Sequence, residues 1–223
     1  MPLALITGAN RGLGLEFTRQ YMRDGWQVIG CCRNPDAAHE LADAGAEVMK
    51  LDVTQAADVT AASKRLAATS IDLVVCNAGV AGARAPVLSP VTQADFDQVM
   101  RTNVLGPMWV SAALADHILP GGKIAYLSSR MGSIGLMTNA GSALYRASKA
   151  ALNAVVKAVA LELASRGVTA IALHPGWVKT DMGGAGADID AETSVAGMRA
   201  VIERARSDVS GHFFDYTGKE LPW

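Results

Sequence analysis

Short runs of β-branched and aliphatic residues alternate with longer Ala-rich segments along most of this chain, and no other feature restricts its fold as tightly. Strands that are each followed by a helical stretch build βαβ units, which stack into a parallel sheet. The predicted strands are Leu3 to Thr7, Gln27 to Cys32, Glu47 to Leu51, Asp72 to Cys76, Lys123 to Ser128, Val168 to Leu173 and His212 to Phe214. Most are continuously apolar, as strands covered on both faces must be. Helices are predicted near Leu13 to Asp24, Pro35 to Ala44, Ala56 to Ala68, Gln93 to Leu119, Ser142 to Arg166 and Ala191 to Arg206. No linker, low-complexity tract or internal repeat interrupts the alternation. The reading is one domain over residues 1–223, an α/β Rossmann-type doubly wound parallel sheet of about seven strands with helices on both faces. Ligands bind such sheets beyond the carboxyl ends of the strands.

Half of the residues are hydrophobic (50%), enough for one large core in a chain of this length. A net charge of -1 provides no general basic field for nucleic acid or an anionic membrane, so an anion site has to be local. The apolar stretch from Ala147 to Ala164 carries Lys149, Lys157 and Glu162, which argues against a membrane span. The N-terminus lacks a basic n-region and reads as a strand, not a signal peptide. Cys31, Cys32 and Cys76 suit neither a disulfide framework nor a zinc spacing, so no metal is expected and a reducing cytosol fits best.

The first strand ends in Thr7-Gly8-Ala9-Asn10-Arg11-Gly12-Leu13-Gly14, and a helical pattern follows at once. Glycines allow a sharp turn and close ligand approach, while the amides and dipole of the helix attract a pyrophosphate. No Lys-Ser or Lys-Thr follows, which disfavours a P-loop. At the end of the second strand, where an acidic residue would bind the adenosine ribose, stand Cys32 and Arg33. Arg33 is a forked cation suited to a 2′-phosphate, with Arg11 able to flank it, so NADPH is expected over NADH. That basic position also argues against a methyltransferase of similar topology. Asp52, ending the third strand, is a candidate acceptor for the adenine amino group, and a helix-capping role competes with it.

Tyr145-Arg146-Ala147-Ser148-Lys149 begins the long Ala-rich helix, and i, i+4 spacing puts the phenol and the ammonium on one face. A free phenol titrates near pH ~10 and is a poor acid-base group at neutrality. A cation ~6 Å away at an effective dielectric of ~20 would favour the phenolate by roughly 2.8 kcal/mol, or about two pKa units. Ser128-Ser129 ends the fifth strand at the ligand edge, where a hydroxyl can hold a carbonyl oxygen beside the tyrosine.

This ordered set resembles the short-chain dehydrogenase/reductase family: the glycine turn, Cys76-Asn77-Ala78-Gly79 after strand four, Tyr145 with Lys149, and Pro175-Gly176 followed by Thr180. The resemblance spans almost the entire chain. It implies Tyr145 as proton donor or acceptor, Lys149 as the group that lowers its pKa and binds the nicotinamide ribose, and Ser129 as the holder of the substrate oxygen. Asn103 resembles the family's fourth catalytic residue, which supports a water chain to the lysine. The resemblance also implies cofactor contacts from Gly8, Asn10, Arg11, Gly12, Leu13, Gly14, Arg33, Asp52, Val53, Asn77, Ala78, Gly79, Pro175, Gly176, Val178 and Thr180. Cys76 replaces the family's usual first asparagine. The 16 positions from Ser129 to Tyr145 exceed the family's usual interval, so Arg130 to Ala143 is expected to loop out over the site, with Ser133 and Ser142 as alternatives to Ser129. The longer interval and the Asp215 to Trp223 terminus resemble the carbonyl-reductase branch that includes the sniffer and C-factor proteins.

The implied reaction is NADP(H)-dependent reduction of an aldehyde, ketone or quinone to the alcohol, or its reverse. The alternative is a regulatory or signalling protein that binds the cofactor with little turnover. Met131, Ile134, Leu136, Met137, Trp177 and Met182 are candidates for an apolar substrate lining, and the Gly183 to Ala187 run suggests a short lid near 180–195. The backbone beside His174 is expected to matter more than its imidazole. The resemblance implies a homodimer or homotetramer formed through long helices, on faces such as Ala150, Ala154 and Ala158.

Overall fold

The computed structural model describes residues 1–83 and 87–223. Its strands are β1 (Leu3–Thr7), β2 (Gln27–Cys32), β3 (Glu47–Lys50), β4 (Ile71–Cys76), β5 (Ile118–Leu127), β6 (Thr169–His174) and β7 (Phe213–Asp215). Between them run α1 (Gly12–Arg23), α2 (His39–Asp43), α3 (Ala56–Arg65), α4 (Gln93–Met100), α5 (Gly106–Leu114), α6 (Ala143–Leu163) and α7 (Ala191–Arg204). All seven strands are parallel, in the order β3-β2-β1-β4-β5-β6-β7. From β1 the chain winds one way and from β4 the other, so a crevice opens between the carboxyl ends of β1 and β4.

Alternate side chains of each strand feed two cores. Leu5, Val74 and Ile124 pack against Val110 of α5 and Leu152 and Val156 of α6. Ile6, Leu73 and Val75 pack against Leu15 and Phe17 of α1 and Val195 and Met198 of α7. Each such buried side chain contributes about 1.5–3 kcal/mol. The three cysteines lie inside these layers, and burial pushes the Cys76 thiol up to about 12.

The helix expected from Gln93 to Leu119 is broken. A π-turn, Arg101–Leu105, closed by the Gly106 amide donating to the Arg101 carbonyl, separates α4 from α5. Pro107 follows and has no N–H to give to the carbonyl of Asn103, so the regular ladder cannot run through this point. A 3-10 turn, Ala115–His117, then ends the helical run, and β5 begins at Ile118, earlier than Lys123. The Pro35 to Ala44 segment is likewise divided into a 3-10 turn, Pro35–Ala37, and the short α2.

Candidate active site

The glycine turn after β1 is built from positions only glycine can fill. Gly8 and Gly12 are left-handed, at φ 65° and 53°, and a Cβ on Gly14 would lie 2.2 Å from the Gly8 carbonyl oxygen. Asn77 locks the turn from β4: its Nδ2 donates to the carbonyls of Thr7 (2.9 Å) and Gly8 (3.0 Å). In return Thr7 Oγ1 accepts from the amides of Asn77 and Ala78. Arg11, at the N-cap of α1, makes no side-chain cap bond, which leaves the first-turn amides directed at the crevice for an anion.

Around this turn the cationic side chains differ. Arg33 is exposed just past β2 and has no partner among the described residues. Arg11 instead forms a 2.9 Å ion pair with Asp181, across the crevice on the segment that follows β6. That segment carries Thr180, whose Cγ2 lies 3.7 Å from where a Gly12 Cβ would stand. Thr180 also organises the turn that follows it by accepting the Gly183 amide on Oγ1 and the Gly184 amide on its carbonyl. Trp177 Nε1 donates to the Gly183 carbonyl, so the Gly-rich run is folded into bonded turns. Val178 is buried and bridges Ile189, and Gly176 adopts φ 85° beside Tyr216. Asp52 Oδ1 accepts from both the amide and hydroxyl of Thr54, which is the turn-capping geometry; buried Val53 packs on Gly106. Asn10 and Leu13 complete the rim of the turn, exposed and half-buried respectively.

At the ends of β4 and β5 the structure brings Asn103, Ser129, Tyr145 and Lys149 together. The Ser129 side chain stands close enough to the Tyr145 hydroxyl to favour its ionised form. Lys149 Nζ lies 5.8 Å from the centre of the Tyr145 ring and donates to the Leu127 carbonyl at 2.7 Å. A Cβ on Gly79 would sit 3.6 Å from Lys149 Nζ and 3.4 Å from Asn103 Oδ1, so the glycine opens the crevice floor here. Asn103 is fully buried in the π-turn: Oδ1 accepts the Val80 amide, and Nδ2 donates to the Val80 carbonyl and to Ser148 Oγ.

Two serines are thereby separated from the site. Ser133 is buried, donating to the Trp223 main-chain oxygen and accepting the Leu136 amide. Ser142 is the left-handed residue before α6, at φ 57°. The intervening segment leaves β5 through a 3-10 turn, Arg130–Gly132, in which Ser129 Oγ accepts the Met131 amide. Gly132 lies flat against α6, where a Cβ would come within 2.7 Å of the Lys149 backbone. The segment is anchored on the chain terminus, with the Gly135 amide donating to Trp223.

The electrostatics correct one expectation. Burial pushes the Tyr145 pKa above its ordinary value, and the Ser129 side chain offsets only part of that rise. The phenol is not made acidic by its ammonium neighbour, because the same burial also weakens the neighbour: Lys149 is lowered to about 8. His174 is held down at about 4, first by burial and then by the Arg130 charge, so its imidazole is neutral near pH 7.

The apolar lining candidates divide. Met131, Ile134 and Met137 line a groove of about 350 Å³ on the outer side of α6 with Ala143, Ala147 and Ala150. Leu136 and Trp177 face a second, polar pocket of about 330 Å³ with Arg130, His174, Asp215 and Lys219. Sequence reasoning overlooked this polar pocket, which is assembled from four separate segments, and overlooked Ser148, which links Asn103 to the Tyr145 carbonyl. The Gly106-Pro107 pair was the available signal for the broken helix.

The short chain dehydrogenase family matches residues 2–188. The chain belongs to the short-chain dehydrogenase/reductase family. It is 42% identical over 155 residues to C-signal of Myxococcus xanthus, a match covering 69% of this chain and 93% of that one. The carbonyl reductase Sniffer of D. melanogaster superposes with a TM-score of 0.93 at 28% identity, each chain covered in full. An NADPH-bound carbonyl reductase from chicken fatty liver superposes with a TM-score of 0.90 at 32% identity, again over the whole of both chains. These likenesses place the chain in the carbonyl-reductase branch and agree with the single Rossmann-type sheet. Among the described residues no helix is long and apolar enough to cross a membrane.

Proposed function

We propose that the protein reduces a carbonyl compound to the alcohol at the expense of NADPH, with Tyr145 as the acid. The observation that carries this reading is the Lys149 ammonium 5.8 Å from the centre of the Tyr145 ring, with the Ser129 side chain beside the phenol. The residues around the glycine turn fit the dinucleotide. The uncapped first turn of α1 takes the pyrophosphate, Thr180 closes over it, and unpaired Arg33 takes the 2′-phosphate. The cofactor supplies the hydride for the carbonyl carbon.

The chain's own groups supply orientation and the proton. The Ser129 and Tyr145 hydroxyls are neighbours, and both can donate to one carbonyl oxygen. As the oxygen becomes an alkoxide, Tyr145 releases its proton to it, and Lys149 stabilises the phenolate left behind and then passes it a proton. Asn103 fixes Val80 and Ser148, and through them the start of α6. Because its helical hydrogen bond is denied by Pro107, the Asn103 carbonyl is the group suited to hold a water that reprotonates the lysine.

Tyr145→Phe is expected to abolish NADPH consumption with a panel of aldehydes, ketones and quinones while leaving NADPH binding intact; a variant that retains turnover would overturn the mechanism. The likeness to C-signal supports a second reading, a signalling protein with little turnover, which the same panel separates. Exposed Ala154, Ala158 and Leu161 on α6 support a homodimer or homotetramer, for light scattering to check, and a cytoplasmic location fits the buried free thiols.

A further inference from the structure

The polar pocket of about 330 Å³ at the ends of β6 and β7 holds four formal charges, Arg130, Lys219, Asp188 and Asp215. Its volume is within the roughly 300–1,000 Å³ of small-molecule sites. Among the described residues no ion pair joins any of the four to another, although both signs line the same space. His174 lines the wall but adds no charge, since it is neutral at pH 7.

Of the four charges, the Asp215 carboxylate is fixed by hydrogen bonds, while the Arg130, Asp188 and Lys219 side chains are exposed on backbone that is itself bonded into turns. Asp215 Oδ1 accepts from the Thr217 amide, the Thr217 hydroxyl and the Lys219 amide, which fixes both the carboxylate and the turn bearing Lys219. The Asp188 and Ile189 amides both donate to the Trp177 carbonyl. Arg130 opens the 3-10 turn that Ser129 Oγ caps and follows directly on that serine in the chain. Arg130 forms one wall of the pocket, and His174, Gly176 and Trp177 at the end of β6 form another.

We propose that this pocket holds the tail of the substrate, and that the tail is an α-amino-acid group: its carboxylate on Arg130 and Lys219, its ammonium on Asp188 and Asp215. A purely anionic tail would face two carboxylates on the same walls, and a neutral tail would gain nothing from the charges, since Arg130, Asp188 and Lys219 are exposed to water and Asp215 is bonded within its own turn. A zwitterion satisfies both signs at once, while Trp177, Leu136 and Leu221 offer apolar surface to the atoms that join it to the carbonyl. This inference rests on the carbonyl-reductase reading, which it extends to a substrate class.

The test uses three adducts of methyl vinyl ketone that share one reacting carbonyl: with cysteine (zwitterionic), with mercaptopropionate (carboxylate only) and with propanethiol (neutral). With NADPH, the cysteine adduct is expected to give kcat/KM at least tenfold above either of the others. Arg130→Gln combined with Lys219→Gln should collapse that ratio towards one, and Asp188→Asn should bring the cysteine adduct down to the mercaptopropionate adduct, with unchanged melting temperatures as the check on folding. Equal kcat/KM for the cysteine and mercaptopropionate adducts, or for all three, overturns the proposal and leaves carbonyl reduction standing. Should no adduct be reduced, calorimetry decides the pocket separately. Binding of the cysteine adduct that is lost in the Arg130→Gln, Lys219→Gln protein supports the pocket while the reductase reading fails, and absence of binding overturns the pocket as well.

Discussion

Lys149 Nζ lies 5.8 Å from the centre of the Tyr145 ring, the two residues lying on the first turns of α6 with Ser129, from the end of β5, beside the phenol. Burial keeps the phenol protonated well past neutrality, while Lys149, lowered only to about 8, keeps its charge at pH 7. Both groups are thus in the states that carbonyl reduction requires: a proton to give and a cation to receive the resulting phenolate.

The pH dependence of reduction follows from these directions. A raised Tyr145 pKa places loss of the acid above pH 10, whereas Lys149 loses its proton near 8. The expected kcat/KM is level through neutrality and falls above about pH 8, a limb reporting the lysine in the free enzyme. In Lys149→Arg the limb should move upwards by more than a unit even if the rate is low. A wild-type profile level to pH 10 would contradict the assignment.

Lys149 also costs stability. Its folded pKa is depressed from 10.5 to about 8, so between those values the unfolded chain binds the extra proton and wild-type stability rises with pH. Below pH 8 the full cost applies, about 3 kcal/mol at about 1.4 kcal/mol per unit. Lys149→Met removes that cost but leaves the Leu127 carbonyl without its donor, a loss of about 1 kcal/mol. Urea unfolding at pH 7 should find the variant about 2 kcal/mol more stable and inactive, with the difference shrinking above pH 8 and reversing before pH 10.5, where only the lost hydrogen bond remains. A variant less stable than wild type at pH 7 would contradict the assigned cost.

The sheet was legible because its strands are apolar on both faces and each Gly-rich turn interrupts them sharply, as at Gly8 and Gly12. Tyr145 and Lys149 were legible because helical spacing alone sets them on one face. What the sequence concealed depends on long-range packing. The direction of the Tyr145 shift depends on how deeply α6 buries the phenol, which an isolated pair of residues does not state. The bond from the Ser133 hydroxyl to Trp223, 90 residues away, could not be read from the sequence either. Arg11 and Asp181 are separated by 170 residues, so the pair that ties the segment after β6 to the glycine turn has no local signature.

Arg33 should set cofactor choice, since it stands past β2 with no partner among the described residues, while Arg11 is occupied by Asp181. A charge-assisted hydrogen bond to phosphate is worth about 1.5–3 kcal/mol. Arg33→Ala is therefore expected to raise the Kd for NADPH by roughly 10- to 150-fold and to leave that for NADH unchanged. Arg11→Ala should have the smaller effect on the ratio of the two. Comparable losses for both cofactors in Arg33→Ala would assign the 2′-phosphate elsewhere.

Asn103 ties the π-turn to both β4's extension and α6, and its removal should be felt as stability before chemistry. Asn103→Ala removes the bonds to the Val80 amide and carbonyl, which are partly buried, and to Ser148 Oγ, which is fully buried and keeps its bond to the Tyr145 carbonyl. At about 1–3 kcal/mol for each buried group left unsatisfied, partly relieved by entering water, the loss is about 2–4 kcal/mol. Pro107→Ala isolates the other half of the design. It keeps every Asn103 side-chain bond but restores an N–H that can occupy the Asn103 carbonyl, so folding should hold while turnover falls and the pH limb near 8 weakens. If Pro107→Ala reduces carbonyls at the wild-type rate, the Asn103 carbonyl has no part in returning a proton to Lys149, and the residue acts through its side chain alone.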